Sequence, residues 1–319
     1  MKTNRIDYPN GIFTLDSAYV RARHTAVHGI VHQGRVALID TATRHSLPIV
    51  LSALSDLGLS PAAVDYIFLT HIHLDHAGGA GAYMAAFPNA TLVVHPRGVR
   101  HMVEPSKLLA GVTAVYGPER TQALYAPLTP VPAARILAAE DGGGVSLAGR
   151  WLKWIDTPGH ARHHIAIWDE QARALFTGDT FGLSYRELDV AGRTGILPTT
   201  TPSQFEPQAL HDTVRKLAAL EPEWLYLSHF GGIRYTPGLE ADFHRLLKNY
   251  VAIAQRAGGE GEARQTQIHE GLRALMWEEA QRQGWLLCKG EMLAILDQDL
   301  ELNAQGLNYW LTTLPVDVA

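Results

Sequence analysis

The chain has 319 residues, of which 46% are hydrophobic and 18% charged, and its formal net charge is −5. This composition excludes a disordered or fibrous protein, and no apolar run approaches the ~18 residues that a membrane-spanning helix needs. The acidic balance argues against a nucleic-acid partner, and the single cysteine, Cys288, excludes an internal disulfide and a cysteine-cage zinc site. The N-terminus is polar and lacks the apolar stretch of a signal peptide, so we expect a cytoplasmic protein with no membrane partner. The sixteen histidines direct attention to metal binding.

The N-terminal part of the sequence predicts strands and helices in the order β-β-α-β-α-β. Strands are predicted at 26–32, 35–40, 66–69 and 91–94, and helices at 47–57 and 79–87. The first two strands flank Gln33-Gly34, a dipeptide typical of a hairpin turn. Gly58 follows the first helical pattern and indicates where that helix ends.

Beyond residue 95 the sequence predicts two irregular segments and a helical end. Residues 96–135 contain four prolines between Pro105 and Pro130, so we expect an irregular insertion with short helical pieces. Residues 181–204 predict a long loop, and long loops in compact domains are often functional. Further strands are predicted at 151–156, 164–168, 174–176 and 224–227, and helices at 207–220, 239–256, 262–283 and 292–311. We therefore divide the chain into a mixed α/β domain, 1–238, and a helical C-terminal region, 239–319.

A group of metal-ligand residue types follows the predicted strand at 66–69. The segment 70–79 reads Thr-His-Ile-His-Leu-Asp-His-Ala-Gly-Gly. In an extended backbone His71 and His73 project to the same side and can share one metal. Asp75 and His76 lie further into the turn and can face a second metal. Three imidazoles and one carboxylate suit zinc, iron or manganese rather than calcium or magnesium.

Three later predicted strands are also followed by a histidine or an aspartate. His160 follows a Thr-Pro-Gly turn, Asp179 lies in Phe-Thr-Gly-Asp-Thr, and His229 lies in Leu-Ser-His-Phe. Each position alone is weak evidence for a metal site, since a strand-end aspartate often caps a helix and a lone histidine often packs in a core. Because ligands of open α/β sheets bind at strand ends, these side chains can converge on one site. Together they predict a metal centre.

The run His-x-His-x-Asp-His resembles the metal-binding motif of the metallo-β-lactamase superfamily, and the later segments resemble its remaining ligand motifs, over roughly residues 10–235. The resemblance implies an αββα sandwich of two mixed β-sheets flanked by helices, with a helical C-terminal appendage. It also implies two divalent transition-metal ions, zinc in the first place, with iron or manganese as alternatives. The ligands that it implies are His71, His73 and His160 for one metal, Asp75, His76 and His229 for the other, and Asp179 as the bridge.

Thr-Pro-Gly-His and Phe-Thr-Gly-Asp-Thr are most similar to the hydroxyacylglutathione hydrolase (glyoxalase II) branch of that superfamily. The similarity implies a hydrolase that uses a metal-bridged hydroxide on a thioester, lactone or other ester. It assigns Asp75 a catalytic role as acceptor of the nucleophile's proton. His164 matches a second histidine common in that branch, for which we expect a structural role. The presence of Asp179, with Cys288 far away, argues against a true β-lactamase.

Several further polar residues lie near predicted strand ends. Asp40 either orients a ligand histidine or is a simple turn aspartate. We expect surface or orienting roles for four histidines, which are His24, His28, His95 and His163.

The sequence leaves partners and competing functions open. We expect a small-molecule substrate, and Tyr185, Arg186 and Arg193 would suit an anionic tail, although solvated loop arginines are more common. The helical C-terminal region either covers the mouth of the cleft or forms a homodimer contact. Two alternative functions are a metal-bearing regulatory or ligand-binding protein with little turnover, and a di-iron redox protein. Turnover assays distinguish the binding protein from a hydrolase. Bound iron with redox activity would identify the di-iron protein.

Overall fold

A computed structural model describes residues 5–200 and 203–314 of the chain. Its contacts divide the described residues into two compact units. The described residues of Met1–Thr157, His163–Gly178 and Glu221–Tyr235 form the first unit, and those of Pro158–Arg162, Asp179–Leu220 and Thr236–Ala319 form the second. A domain boundary at residue 238 stays a prediction.

The first sheet has seven strands and belongs to the first unit. In spatial order they are β1 (Arg5–Asp7), β2 (Ile12–Asp16), β3 (Ala26–His32), β4 (Arg35–Ile39), β5 (Val64–Phe68), β6 (Thr91–Val94) and β7 (Ile136–Ala138). Strands β1 to β4 pair antiparallel and β4 to β7 pair parallel, so the sheet is mixed. The β3–β4 hairpin turns at Gln33 and Gly34 with φ values of 46° and 74°. Two positive φ values match the right-handed twist of the flanking strands and confirm the predicted turn.

The second sheet has six strands in the spatial order β13-β12-β11-β10-β9-β8. They are β8 (Gly144–Leu147), β9 (Arg150–Asp156), β10 (Ile165–Asp169), β11 (Ala174–Leu183), β12 (Trp224–His229) and β13 (Gly231–Arg234). β11 runs on well past the predicted strand at 174–176. All ten of its residues are buried, so the polar residues 177–180 continue the strand instead of ending it.

The two sheets pack face to face in the first unit through an apolar core. Ile39 and Phe68 of the first sheet belong to the same buried cluster as Trp154 and Phe176 of the second. The first unit also contains α1 (Leu47–Asp56), α2 (Leu74–Ala77), α3 (Ala80–Ala86), α4 (Pro96–Val103), α5 (Ser106–Tyr116) and α6 (Pro118–Tyr125). Side chains of α1 and α3 form another apolar cluster with the first sheet. Two mixed sheets flanked by helices, with further helices at the C-terminal end, confirm the predicted fold class.

The segment 96–135 is more regular than its prolines suggest. It holds the three helices α4, α5 and α6, of 8, 11 and 8 residues, where the sequence predicts an irregular insertion with short helical pieces. Pro96 and Pro118 begin α4 and α6. Proline is tolerated at the first helical position because the N–H that it lacks would have no partner inside the helix there. These prolines therefore start helices instead of breaking them.

The second unit is mainly helical. It contains α7 (Pro207–Ala218), α8 (Pro237–Arg256), α9 (Gly261–Gln283) and α10 (Lys289–Thr313). Arg245 of α8 pairs with Glu279 of α9 at 2.8 Å, and His269 of α9 pairs with Asp297 of α10 at 3.0 Å. No helix in the described parts of the chain combines the length and hydrophobicity that crossing a bilayer requires.

Candidate metal centre

The segment that follows β5 brings its histidines together in the first unit. His71 and His73 precede the one-turn helix α2, which carries Asp75 and His76. His71 Nε2 lies 2.8 Å from His73 Nδ1, so the two imidazoles point to the same side. The rings of His71 and His76 approach each other with centroids 4.1 Å apart.

Asp75 lies between two histidines that come from different strand ends. Its Oδ2 atom is 3.4 Å from Nε2 of His76 and 3.4 Å from Nε2 of His229. One ligand atom from each of the three residues lies within 4.8 Å of the others. Burial raises the pKa of the Asp75 carboxyl, but the neighbouring His76 and the hydrogen bond from His229 hold that pKa well below its usual range. Asp75 is therefore ionised at neutral pH.

Asp40 connects the two segments that carry these ligands. Its buried carboxylate accepts hydrogen bonds from His76 Nδ1 at 2.9 Å, from Thr70 N at 2.8 Å and from Ser228 Oγ at 2.7 Å. Thr70 Oγ1 also donates to it and in turn accepts from His71 Nδ1 at 3.1 Å. Asp40 thus orients predicted ligand histidines, which is one of the two roles that the sequence left open for it.

His229 is held on its other side by β3 and the residues before it. Its Nδ1 donates to the carbonyl oxygen of His24 at 3.2 Å and lies 3.3 Å from Thr25 Oγ1. His28 Nε2 donates to the carbonyl oxygen of Leu227 at 3.1 Å, close to the end of β12. Burial lowers the pKa of His28 to about 4 although Asp40 opposes this, so the ring is neutral at pH 7. His24 and His28 are therefore buried rather than on the surface, and they act on this strand end through the backbone oxygen of His24 and the ring of His28.

The other two predicted histidines also lie in the first unit. His95 Nε2 pairs with Asp156 at 3.2 Å. The ring of His163 stacks on that of His71, with centroids 6.2 Å apart.

The second unit brings His160 and Asp179 together. His160 Nε2 is 3.5 Å from Asp179 Oδ2. Thr199 Oγ1 donates to the carbonyl oxygen of Asp179 at 3.1 Å and accepts from His160 Nδ1 at 3.1 Å. Because the proton then lies on Nδ1, the lone pair of His160 Nε2 points away from Thr199 and toward the aspartate.

His164 packs within the first unit and has the structural role expected for it. Its Nδ1 lies 2.7 Å from Thr157 Oγ1. A Cβ atom at Gly178, where φ is +51°, would lie 2.4 Å from His164 Nε2. Only glycine therefore lets β11 pass this ring immediately before Asp179.

The residue types and their hydrogen bonds fit a transition metal. His71, His76, His160 and His229 each engage Nδ1 with a protein oxygen, which leaves Nε2 as the coordinating atom. Imidazole nitrogens held in this way, together with carboxylates, are typical of zinc, iron and manganese sites. Five of the seven predicted ligands lie in the first unit and two in the second, and their division between two metals stays a prediction.

Sequence reasoning missed the short polar residues that hold these ligands. Thr70 and Ser228 directly precede His71 and His229, and that adjacency is a readable signal. Thr25 and Thr199 carry no such signal, since they acquire their role only in the folded chain.

The loop residues considered for an anionic substrate tail all bind the second unit itself. Tyr185 donates to Asp299 at 3.1 Å, Arg186 pairs with Asp189 at 3.1 Å, and Arg193 donates to the carbonyl oxygen of Gln283 at 2.9 Å. An anionic tail stays a prediction.

Comparison with known proteins gives matches in sequence and matches in structure. The family model described as "Metallo-beta-lactamase superfamily" matches residues 22–229, a range that contains all seven predicted ligands. A hydroxyacylglutathione hydrolase of Aeromonas hydrophila is 30% identical over 233 residues, which is 72% of this chain and 68% of that protein.

The crystal structure of an archaeal metallo-β-lactamase superfamily protein from Sulfolobus tokodaii has a TM-score of 0.65 at 21% identity, covering 94% of this chain and 99% of the other. A metallo-β-lactamase family protein from Thermus thermophilus has a TM-score of 0.59 at 22% identity, covering 95% and 93%. At these identities the structural matches show the fold alone.

Proposed function

The chain belongs to the metallo-β-lactamase superfamily, and on that premise we propose that it is a metal-dependent hydrolase of a thioester, lactone or other ester. The observation that carries the proposal is the ionised carboxylate of Asp75, which lies 3.4 Å from Nε2 of both His76 and His229. Similarity to a hydroxyacylglutathione hydrolase supports a thioester or a related ester as the bond that is cleaved.

The proposed cofactor is a pair of transition-metal ions, zinc in the first place. The residues that would hold them are His71, His73, Asp75, His76, His160, Asp179 and His229. When bound, the ions would polarise the substrate carbonyl and supply a hydroxide nucleophile near neutral pH. Iron and manganese accept the same ligand types, so the ion has to be measured.

The protein's own residues have separate tasks in this reaction. Asp75 is ionised, but its lowered pKa makes it a weak base, so its proposed role as acceptor of the nucleophile's proton is supported by membership of the superfamily and not by this pKa. Asp40 fixes the ring of His76 and, through Ser228, the strand end that carries His229. Such fixed geometry lowers the entropic cost of bringing the reacting groups together.

The test is turnover by the full chain. The purified protein is assayed against thioesters that include a hydroxyacylglutathione, against lactones and against aryl esters, before and after metal removal by a chelator. We expect hydrolysis of at least one class, loss after chelation and recovery when Zn²⁺, Fe²⁺ or Mn²⁺ is added back.

The matched control is Asp65→Asn, which removes a carboxylate at the amino end of β5 that pairs with Arg35. It should leave hydrolysis unchanged, whereas Asp75→Asn should abolish most of it. A metal-loaded protein that hydrolyses none of the panel would overturn the proposal in favour of a binding protein. Bound iron with redox turnover instead would favour the di-iron alternative.

A further inference from the structure

The last helix of the second unit holds the loop that carries Thr199. Asn303 of α10 is 1% exposed. Its Oδ1 accepts from Thr200 N at 2.6 Å and from Thr200 Oγ1 at 3.2 Å, and its Nδ2 donates to the carbonyl oxygen of Pro198 at 3.3 Å. The single hydroxyl proton of Thr200 is shared between this Oδ1 atom and the backbone oxygen of Asn303, which lies 3.1 Å from Thr200 Oγ1. The residues on both sides of Thr199 are therefore fixed to one side chain of α10.

Thr199 passes this restraint on to two predicted metal ligands. Its hydroxyl donates to the carbonyl oxygen of Asp179, so its lone pair is available to His160 Nδ1. His160 Nδ1 also lies 3.4 Å from the carbonyl oxygen of Thr199, so a displacement of this residue would move both oxygens that hold the proton on Nδ1. Weaker hydrogen bonds at Nδ1 would favour a turned ring or a proton on Nε2. A proton on Nε2 would remove the lone pair needed for coordination.

We infer that Asn303 is a positioning residue for the metal centre, acting through Thr199 on the ring orientation and tautomer of His160. The inference rests on the proposed function only in taking His160 and Asp179 as metal ligands. It gives the C-terminal helix α10 a part in metal binding, since the side chain of Asn303 fixes the residues on both sides of Thr199.

A second contact, just before residues 198–200, allows the positioning role of Asn303 to be distinguished from a general effect on folding. Leu183 and Leu197 exchange backbone hydrogen bonds of 2.8 and 2.9 Å, which tie the start of the loop to the end of β11. Loss of the Asn303 side chain leaves this pairing intact, so we expect residues 198–200 to loosen while the helices stay packed.

The experiment is titration of the metal-free full chain with Co²⁺, followed by the visible absorption of the bound ion and by competition with a chelator. Asn303→Leu keeps the number and branching of the side-chain heavy atoms and removes every side-chain hydrogen bond to the loop. We expect it to weaken Co²⁺ binding by about 10–100-fold, as loss of a residue that supports a ligand does. Thr199→Val should show a similar loss, and Asn303→Asp, which keeps the acceptor for Thr200 N, should show a smaller one.

The control separates positioning from general destabilisation. Leu296→Ala truncates a fully buried side chain about two turns earlier in α10 and should lower the melting temperature without changing the Co²⁺ affinity. Unchanged affinity in folded Asn303→Leu, or an equal loss in Leu296→Ala, would overturn the inference. If Asn303→Leu fails to fold, Thr199→Val and Asn303→Asp decide the question in the same assay. Because Co²⁺ binding needs no substrate, failure of the proposed hydrolysis would not be confused with failure of this inference.

Discussion

The Asp40 carboxylate accepts a hydrogen bond from Nδ1 of His76, the nitrogen opposite the one that faces Asp75, at 2.9 Å. The same carboxylate holds Thr70 and Ser228, which directly precede two further predicted ligands. A single buried acidic group, not itself among the predicted ligands, therefore orients His76 directly and His71 through Thr70, and it holds the residue that precedes His229.

Replacement of Asp40 by Asn should weaken metal binding and destabilise the fold. The amide presents only one acceptor oxygen to the donors that surround it, so at least one buried donor loses its partner, at about 1–3 kcal/mol each. We expect metal affinity to fall by about 10–100-fold, measured by chelator competition. Asp65→Asn is the control, and equal affinities in the two variants would contradict the assigned role.

The purified protein should carry close to two transition-metal ions per chain. Seven histidine and aspartate ligands exceed what one four- or five-coordinate ion can use. Elemental analysis after expression in metal-rich medium gives the number and the identity of the ions. A ratio of one would mean that the ligand set serves a single metal.

The Asp75→Asn variant should fold normally and lose about 10²–10⁴-fold in kcat. The amide has nearly the shape of the carboxylate but cannot accept a proton, and general-base roles contribute on this scale. Activity and metal content are measured together, because the amide is also a weaker ligand. A variant that keeps both its full metal content and its rate would remove Asp75 from the mechanism.

The stability of the metal-free protein should fall as the pH drops from about 6.5 to 4. His28 is buried and its pKa is lowered from 6.5 to about 4, so in this window the unfolded chain takes up a proton that the folded chain does not. The contribution of His28 to the free energy of unfolding is complete above pH 6.5. Acidification to pH 4 removes roughly 3 kcal/mol of it.

The measurement is urea unfolding in the presence of chelator at several pH values. His28→Gln should have a shallower pH dependence than the normal protein, because it removes this titration. The matched control substitution is His32→Gln, at the far end of the same strand. Parallel curves for His28→Gln and the normal protein would show that the acid sensitivity has another source.

Local patterns were sufficient to predict two strands and to single out the candidate ligands, whose role stays a prediction. β3 and β6 coincide with their predicted ranges, because contiguous β-branched residues favour a strand without regard to partners. The sequence analysis predicts neither β1 nor β2. β1 has only three residues, and it is a strand because it pairs with β2. In the site, the ligands appear as short motifs, whereas Thr25 acts on a histidine 204 positions away.

The hydrogen bond between Ser228 and Asp40 joins positions 188 residues apart. At a synthesis rate of about 5–20 residues per second, roughly 8–30 s pass between the appearance of His76 and that of His229 on the ribosome. Until then Asp75 and His76 lack His229, the third residue of their group. Asp40 likewise lacks the hydrogen bond from Ser228. On the proposed ligand set, a complete centre could form only after residue 229 has been made, so it would be loaded late in synthesis or after it. Since the predicted ligands suit zinc, iron and manganese alike, the supply at that moment would decide which ion is bound.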